Sequence, residues 1–156
     1  MLSKSNGLRS HLLELLDGKS AHIDLGSALK DFPLERINDK PASSPHSAWQ
    51  LLEHIRIAQW DILDFSRNAD YKEMKWPDEY WPQEEGTPEK WNASFKQTLN
   101  DLQAMRNLIS SDKTDLFAKI PHGSGQTILR EAMLIADHNA YHLGQLVLIK
   151  RMLENS

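Results

Sequence analysis

The sequence contains no cysteine. A disulfide framework is therefore excluded, and any metal site would have to use histidine, carboxylate or water as ligands. Lysine and arginine form no cluster and the net charge is −4, so the electrostatic footprint of a nucleic-acid-binding protein is missing. No run approaches the ~18 apolar residues of a membrane span, and the N-terminus lacks the apolar stretch of a secretory signal. We expect a cytoplasmic protein that binds neither nucleic acid nor membrane, with 1–156 as a single domain.

Apolar residues recur at helical spacing, and the alternating runs typical of strands are absent. The long helices predicted in this way cover residues 47–69, 88–110 and 127–153. Ser47 and Gln50 match a capping box at the start of the first. Thr87 and Pro88 match an N-cap followed by proline at the first helical position of the second.

Two further helices are predicted in the N-terminal part of the chain. Leu8–Leu16 is rich in leucine and is ended by Asp17 and Gly18, a C-terminal signal. Leu25–Phe32 is a short helical piece for which Asp24 is a suitable N-cap. Together the five segments predict an all-α protein, a four-helix bundle with one short additional helix. The order of the helices stays open between up-down-up-down and a crossed arrangement.

The segment from Thr127 to Leu153 carries a wide apolar arc, which predicts a largely buried helix of about 27 residues and roughly 40 Å. His138 and His142 are four residues apart in it, so both imidazoles project from one face, one turn apart. The presence of two neighbouring histidines on a buried helix requires an explanation, and binding of a divalent metal ion by both rings is one.

A third ligand would have to come from another helix, and His54 is the candidate. It lies on a core-facing stripe of the second long helix, made up of Leu51, His54, Ala58, Asp61 and Phe65. A lone histidine there is more often an ordinary core residue, but the pair on the last helix favours the ligand interpretation. Of the other histidines, His11 is the nearest competitor, while His22, His46 and His122 lie in or beside loop-like segments.

Three histidine nitrogens suit a single Zn²⁺ or Ni²⁺ ion and leave at least one coordination position open, as in catalytic rather than structural sites. A zinc protease is excluded because its H-E-x-x-H motif needs glutamate where this chain has Asn139. A di-iron site is disfavoured because E-x-x-H would need glutamate at Ile135 and Leu51.

Two stretches together resemble the DinB-like superfamily (DinB/YfiT-like). They are Q-L-L-E-H-I-R-I-A-Q-W-D-I-L in the second long helix and D-H-N-A-Y-H-L-G-Q-L in the last, with a W-P-x-x-Y-W-P connection between helices. The resemblance implies a four-helix bundle, often dimeric, that carries a metal on three histidines, here His54, His138 and His142. It also implies either a thiol-dependent transferase or isomerase, using low-molecular-weight thiols such as bacillithiol or mycothiol, or a metal-dependent hydrolase.

Two functions therefore stay open: a metal-dependent enzyme of thiol S-transferase or hydrolase type, and a non-catalytic stress-related or binding protein with a structural metal. No individual catalytic residue is assigned beyond the metal ligands. The tryptophan-rich connection is either a loop pinned to the bundle or the wall of a pocket or dimer contact. We also expect a homodimer, because five tryptophans and wide apolar arcs exceed what one small core hides easily.

Overall fold

A computed structural model describes residues 4–41 and 43–155, and within these ranges it contains helices, turns and loops but no strand. The helices are α1 (Lys4–Asp17), α2 (Leu25–Leu29), α3 (Ala48–Arg67), α4 (Pro88–Ser110) and α5 (Ile128–Glu154). Two 3₁₀ turns lie at Leu34–Arg36 and Asp78–Tyr80. The long helices α1, α3, α4 and α5 form the bundle and α2 is the short additional helix, so the predicted all-α fold is confirmed. In the same ranges no helix is both long and apolar enough to cross a bilayer.

Local sequence signals set the helix ends. The capping box at Ser47 is complete, because its hydroxyl accepts from Gln50 N–H and the Gln50 side chain accepts from Ser47 N–H. Thr87 and Thr127 cap α4 and α5 with a single bond each, in which the side-chain oxygen accepts from the N–H three residues later. The short helix ends at Leu29, before the predicted end at Phe32. The residue before proline avoids the helical region, and here Phe32 precedes Pro33.

Contacts between helices decide the helix order that the sequence left open. Ser94 donates to Glu53 and Gln59 donates to the Thr98 carbonyl, so residue numbers rise together and α3 and α4 are parallel. Helix α5 runs antiparallel to α3, since Leu51 shares a cleft with Leu148 while Gln59 meets Asn139. Helix α1 is antiparallel to α4, because Arg9 binds the Ile109 carbonyl and Arg106 the Leu13 carbonyl. The bundle is therefore down-up-up-down.

Because α3 and α4 are parallel, residues 68–87 must return along the bundle between them. Trp49 donates from its indole to the Glu84 carbonyl at 2.9 Å. Asn38 makes two hydrogen bonds of 2.9 Å to the backbone of Gly86. A Cβ at Gly86 would lie 2.6 Å from the Trp49 ring, so only glycine allows this approach. The return connection is thereby held against the first half of α3, where His54 lies.

Helix α5 is less buried than its apolar arc predicted. Its inward residues pack against α1 and α3, and Ile135, Leu143 and Leu146 are at most 4% exposed. Met133 and Leu148, in contrast, are 52% and 59% exposed. The expectation of a largely buried helix is wrong for this outer face, which stays exposed although α1, α2, α3 and α4 all contact α5.

Candidate metal centre

The three histidines singled out in the sequence lie together in the structure. Helix α3 supplies His54, and α5 supplies His138 and His142 from consecutive turns. One ring nitrogen from each of the three histidines lies within 4.8 Å of those from the other two. The Nε2 atoms of His54 and His138 are 3.1 Å apart. His54 and His142 are buried and His138 is half-buried.

Two of the three rings are oriented by a hydrogen bond from the opposite nitrogen. His54 Nδ1 lies 2.8 Å from the Tyr80 carbonyl oxygen, and His142 Nδ1 lies 2.7 Å from Gln145 Oε1. An oxygen of this kind can only accept, so Nδ1 carries the proton and the neutral ring presents its Nε2 lone pair to the group. This is the arrangement usual around metal-binding histidines.

The geometry fits a divalent cation. Two nitrogens bound to one tetrahedral Zn²⁺ at about 2.0–2.1 Å lie roughly 3.3 Å apart, close to the separation seen between His54 and His138. Burial, and after it the neighbouring rings of His142 and His54, lowers the pKa of His138 to about 4. Burial also lowers the pKa of His54 and of His142. All three rings are therefore held in the neutral form that binds metals.

Aromatic residues surround the three histidines. Trp81 stacks on His54 with the ring centroids 4.0 Å apart and an interplanar angle of 2°, and His46 stacks on Trp81 at 4.2 Å. Tyr141 lies 4.9 Å from His142, and Trp76 lies 6.3 Å from His54. The tryptophan-rich connection is thus both pinned to the bundle and a wall of the site.

A buried carboxylate holds this wall in place. Asp61 lies on the same face of α3 as His54. Its carboxylate accepts hydrogen bonds from the hydroxyl of Tyr71 at 3.0 Å and from that of Tyr80 at 2.7 Å. Burial and the hydrogen bond to Asp61 raise the pKa of both tyrosines. Since the backbone carbonyl of the same Tyr80 accepts from His54, Asp61 fixes the residue that orients this ring.

The competing histidines lie elsewhere or play another part. His11 has a side chain 78% exposed, beside Glu14. His22 and His122 bond to backbone carbonyls and are exposed. His46, which was grouped with the loop histidines from the sequence, is separated from His54 by the Trp81 ring, which stacks on both. No periodicity marks a loop residue, so nothing in the sequence pointed to His46, whereas Trp81 belongs to the W-P-x-x-Y-W-P connection that was expected to be either a pinned loop or a wall.

Asn139 stands where a zinc protease has its glutamate base. Its amide donates to Gln59 Oε1 at 2.7 Å and cannot take up a proton. The rejection of the protease interpretation agrees with this arrangement. Gln145 was missed, although its position three residues after His142 places it on the same helix face.

The pKa shifts predict how metal binding depends on pH. Reference imidazoles titrate near 6.5, which suggests weakening below about pH 6. Because the pKa of each of the three histidines is lowered, protons compete with the metal for these rings only at lower pH. We therefore expect metal to be retained at pH 6 and lost progressively towards about pH 4. Zinc content after equilibration at stepped pH measures this. Release half complete at pH 6.5 or above would contradict it.

The same pKa shifts determine how the stability of the metal-free protein changes with pH. The unfolded chain takes up protons at these histidines near pH 6.5, before the folded chain does. Stability should therefore fall as pH decreases from about 6.5 towards about 4 and gain nothing further from these groups above that window.

Comparison with known protein families matches residues 21–146 to the DinB superfamily. The matched part runs from just before α2 to the last turns of α5 and contains His54, His138 and His142. Comparisons with curated proteins and with solved structures gave no match.

Proposed function

This chain belongs to the DinB superfamily, and we propose that it binds one Zn²⁺ or Ni²⁺ ion through His54, His138 and His142 and acts as a metal-dependent thiol S-transferase. One observation carries the proposal: the ring nitrogens of three histidines converge, and two of the rings have their opposite nitrogen already bound to an oxygen acceptor. Three protein ligands leave a coordination position for a substrate atom.

Thiol transfer is the reaction that these residues support best. A bound divalent metal supplies Lewis acidity, which lowers the pKa of a thiol or a water molecule. A free thiol has a pKa near 8.5, so a moderate shift ionises it without a side-chain base. Hydrolysis benefits from a general base, and the position next to His138 that could hold one carries an amide committed to Gln59.

The side chains around the group have separate roles in this reaction. Trp81 covers one face of His54 and excludes water from it. Trp76 is 69% exposed, so it can contact the apolar part of an electrophile. The thiolate sulfur forms a bond to the electrophilic carbon, the leaving group departs with its electron pair, and the thiol proton passes to solvent.

Turnover assays on the metal-loaded protein test the proposal. Zinc- and nickel-loaded protein is mixed with glutathione, cysteine, bacillithiol or mycothiol and a panel of alkyl and aryl electrophiles, and conjugates are measured by mass spectrometry. We expect conjugation that needs both thiol and metal and stops on chelation, with His11→Ala as an unaffected control. Ester cleavage without thiol would favour the hydrolase instead. Metal that raises the melting temperature without any turnover would favour the structural role.

The protein is further proposed to be a homodimer. The outer face of α5 exposes a stripe of large apolar side chains, which consists of Met133, Tyr141, Leu148 and Met152. Sedimentation at micromolar concentration should give about twice the 17.9 kDa chain mass. Leu148→Glu should shift the species towards monomer, whereas Phe117→Glu, at a site 63% exposed in the α4–α5 connection, should not. Only monomer in the unmodified protein would rule the dimer out.

A further inference from the structure

A cavity lies on a different face of α5 from the proposed metal site. It opens between the end of α1, the start of α2, the second half of α4 and the middle of α5. Its volume of about 320 Å³ falls within the roughly 300–1,000 Å³ of small-molecule sites. The three histidines of the proposed metal site do not line it. A molecule in this cavity would therefore not touch the proposed metal ligands.

The cavity exists because no large side chain fills the corner where α1 ends. Helix α1 stops at Asp17, and the chain reaches α2 only at Leu25. Gly18 begins the loop between them with a φ of +66°, a conformation that glycine adopts without strain. On another wall, α5 presents Ala136 and Ala140, one turn apart, where longer side chains would occupy the space. The fold thus leaves an opening that reaches the core.

Leucine side chains make up much of the cavity wall. Leu16, Leu25 and Leu143 are at most 6% exposed and form its inner part. Leu15 and Leu99 also line it but are 52% and 37% exposed, so apolar surface is left uncovered at its mouth. A cavity of about 150 Å³ is enough to bind benzene, so about 320 Å³ has room for an apolar molecule roughly twice that size.

Arg106 adds a directional polar group to this wall. Its Nη1 atom donates to the Asp17 carboxylate and to the Leu13 carbonyl oxygen, which fixes the guanidinium against α1. Its side chain is only 24% exposed. The Nε and Nη2 atoms have no hydrogen-bond partner within residues 4–41 and 43–155, yet neither is fully buried. Their N–H groups lie side by side on one edge of the guanidinium, which matches the two oxygens of a carboxylate.

The charges around the cavity favour an anion. Asp17 is already paired with Arg106, and the two carboxylate oxygens of Asp24 accept from the backbone N–H and the hydroxyl of Ser27. Lys19 also lines the cavity, and in the described part of the chain it forms no hydrogen bond or ion pair. The acidic groups of the lining are thus engaged, while an ammonium group and one edge of a guanidinium are available.

We propose that this cavity is a binding site for a small apolar monocarboxylic acid. The carboxylate accepts two hydrogen bonds from Nε and Nη2 of Arg106, and Lys19 adds a second positive charge. The apolar part packs against the leucines of the wall and covers the exposed surface of Leu15 and Leu99. The site needs no metal, so it does not rest on the proposed function.

Calorimetric titration of chelator-treated protein with 2-naphthoate and with 2-naphthylmethanol tests both parts of the site. The probes share one ring system and differ in the carboxylate, and chelation prevents that carboxylate from binding to a metal. We expect saturable binding of naphthoate and about tenfold weaker binding of the alcohol, which lacks the charged acceptor. Arg106→Lys keeps a positive charge beside Asp17 but removes the two-donor edge, so it should weaken naphthoate about tenfold and leave the alcohol unchanged.

A cavity-filling variant locates the site. Ala140→Leu should abolish binding of both probes, because the added atoms occupy the space in which the rings lie. Ala93→Leu is the matched control, since it makes the same change at an exposed position of α4 that lines a different cleft. Leucine methyl NMR on the unmodified protein should show naphthoate shifting the signals of Leu99 and Leu143 and not that of Leu148. That measurement keeps the test decisive if Ala140→Leu does not fold.

The proposal is overturned if naphthoate shows no saturable binding at millimolar concentration, or if the alcohol binds as tightly. Unchanged naphthoate affinity in Arg106→Lys would also overturn it, as would methyl shifts at Leu148 and not at Leu99 and Leu143. Zinc-loaded protein should bind naphthoate in the cavity with the same affinity. A protein that takes up no metal would end the proposed function and leave this result intact.

Discussion

Alanine at position 54, 138 or 142 is expected to remove stoichiometric metal binding. Each substitution leaves two imidazoles, whose nitrogens cannot hold an ion as three converging ones do. Losing an outer partner of a ligand typically costs 10–100-fold in metal affinity, so losing a ligand should cost more than about 100-fold. Any metal-dependent turnover should disappear with it.

Metal content of purified variants, measured by inductively coupled plasma mass spectrometry after dialysis, checks this expectation. His11→Ala is the matched control because that side chain is 78% exposed and its Nδ1 atom lies 3.7 Å from the Glu14 carboxylate, away from the three histidines. His122→Ala is a second control, with a ring bonded to the Phe65 carbonyl. If all three variants at 54, 138 and 142 keep full metal while His11→Ala loses it, the ligand assignment is wrong.

Trp91→Ala is expected to destabilise the protein by about 3–5 kcal/mol, as large-to-small changes at buried aromatic positions do. Trp91 is 1% exposed and packs its ring 4.8 Å from that of Phe32. It belongs to a core cluster with residues of α2, α3 and α5, including Leu51 and Leu143, which neighbour the histidine positions. The truncation leaves a cavity between these helices.

Urea denaturation followed by circular dichroism measures the change in the free energy of unfolding. Trp76→Ala is the control of identical chemistry at a site 69% exposed, and it should change stability by no more than about 0.5 kcal/mol. Equal losses for the two variants, or a loss below about 1 kcal/mol for Trp91→Ala, would contradict the packing described. The urea m-value should stay constant, so that the change reflects stability and not a different unfolded state.

The sequence alone determined the helices and the three converging histidines, because the signals for both are local. The predicted caps at Ser47 and Thr87 join a side chain to a backbone N–H three residues away. The four-residue spacing of His138 and His142 puts both rings on one helix face whatever surrounds them. His54 followed from the apolar stripe of its own helix, which shows the side that faces the core.

Tertiary structure alone decided the helix directions and the surroundings of the histidines. Tyr80 lies 26 residues from His54, and Asn139 lies 80 residues from Gln59. Periodicity shows which face of a helix is apolar, but not which neighbour that face meets or whether the neighbour is parallel. For the same reason it predicted Met133 and Leu148 as buried, although the helices that contact α5 leave this part of its arc exposed. The partners that orient each ring depend on where the return connection lies, and only the packed bundle fixes that.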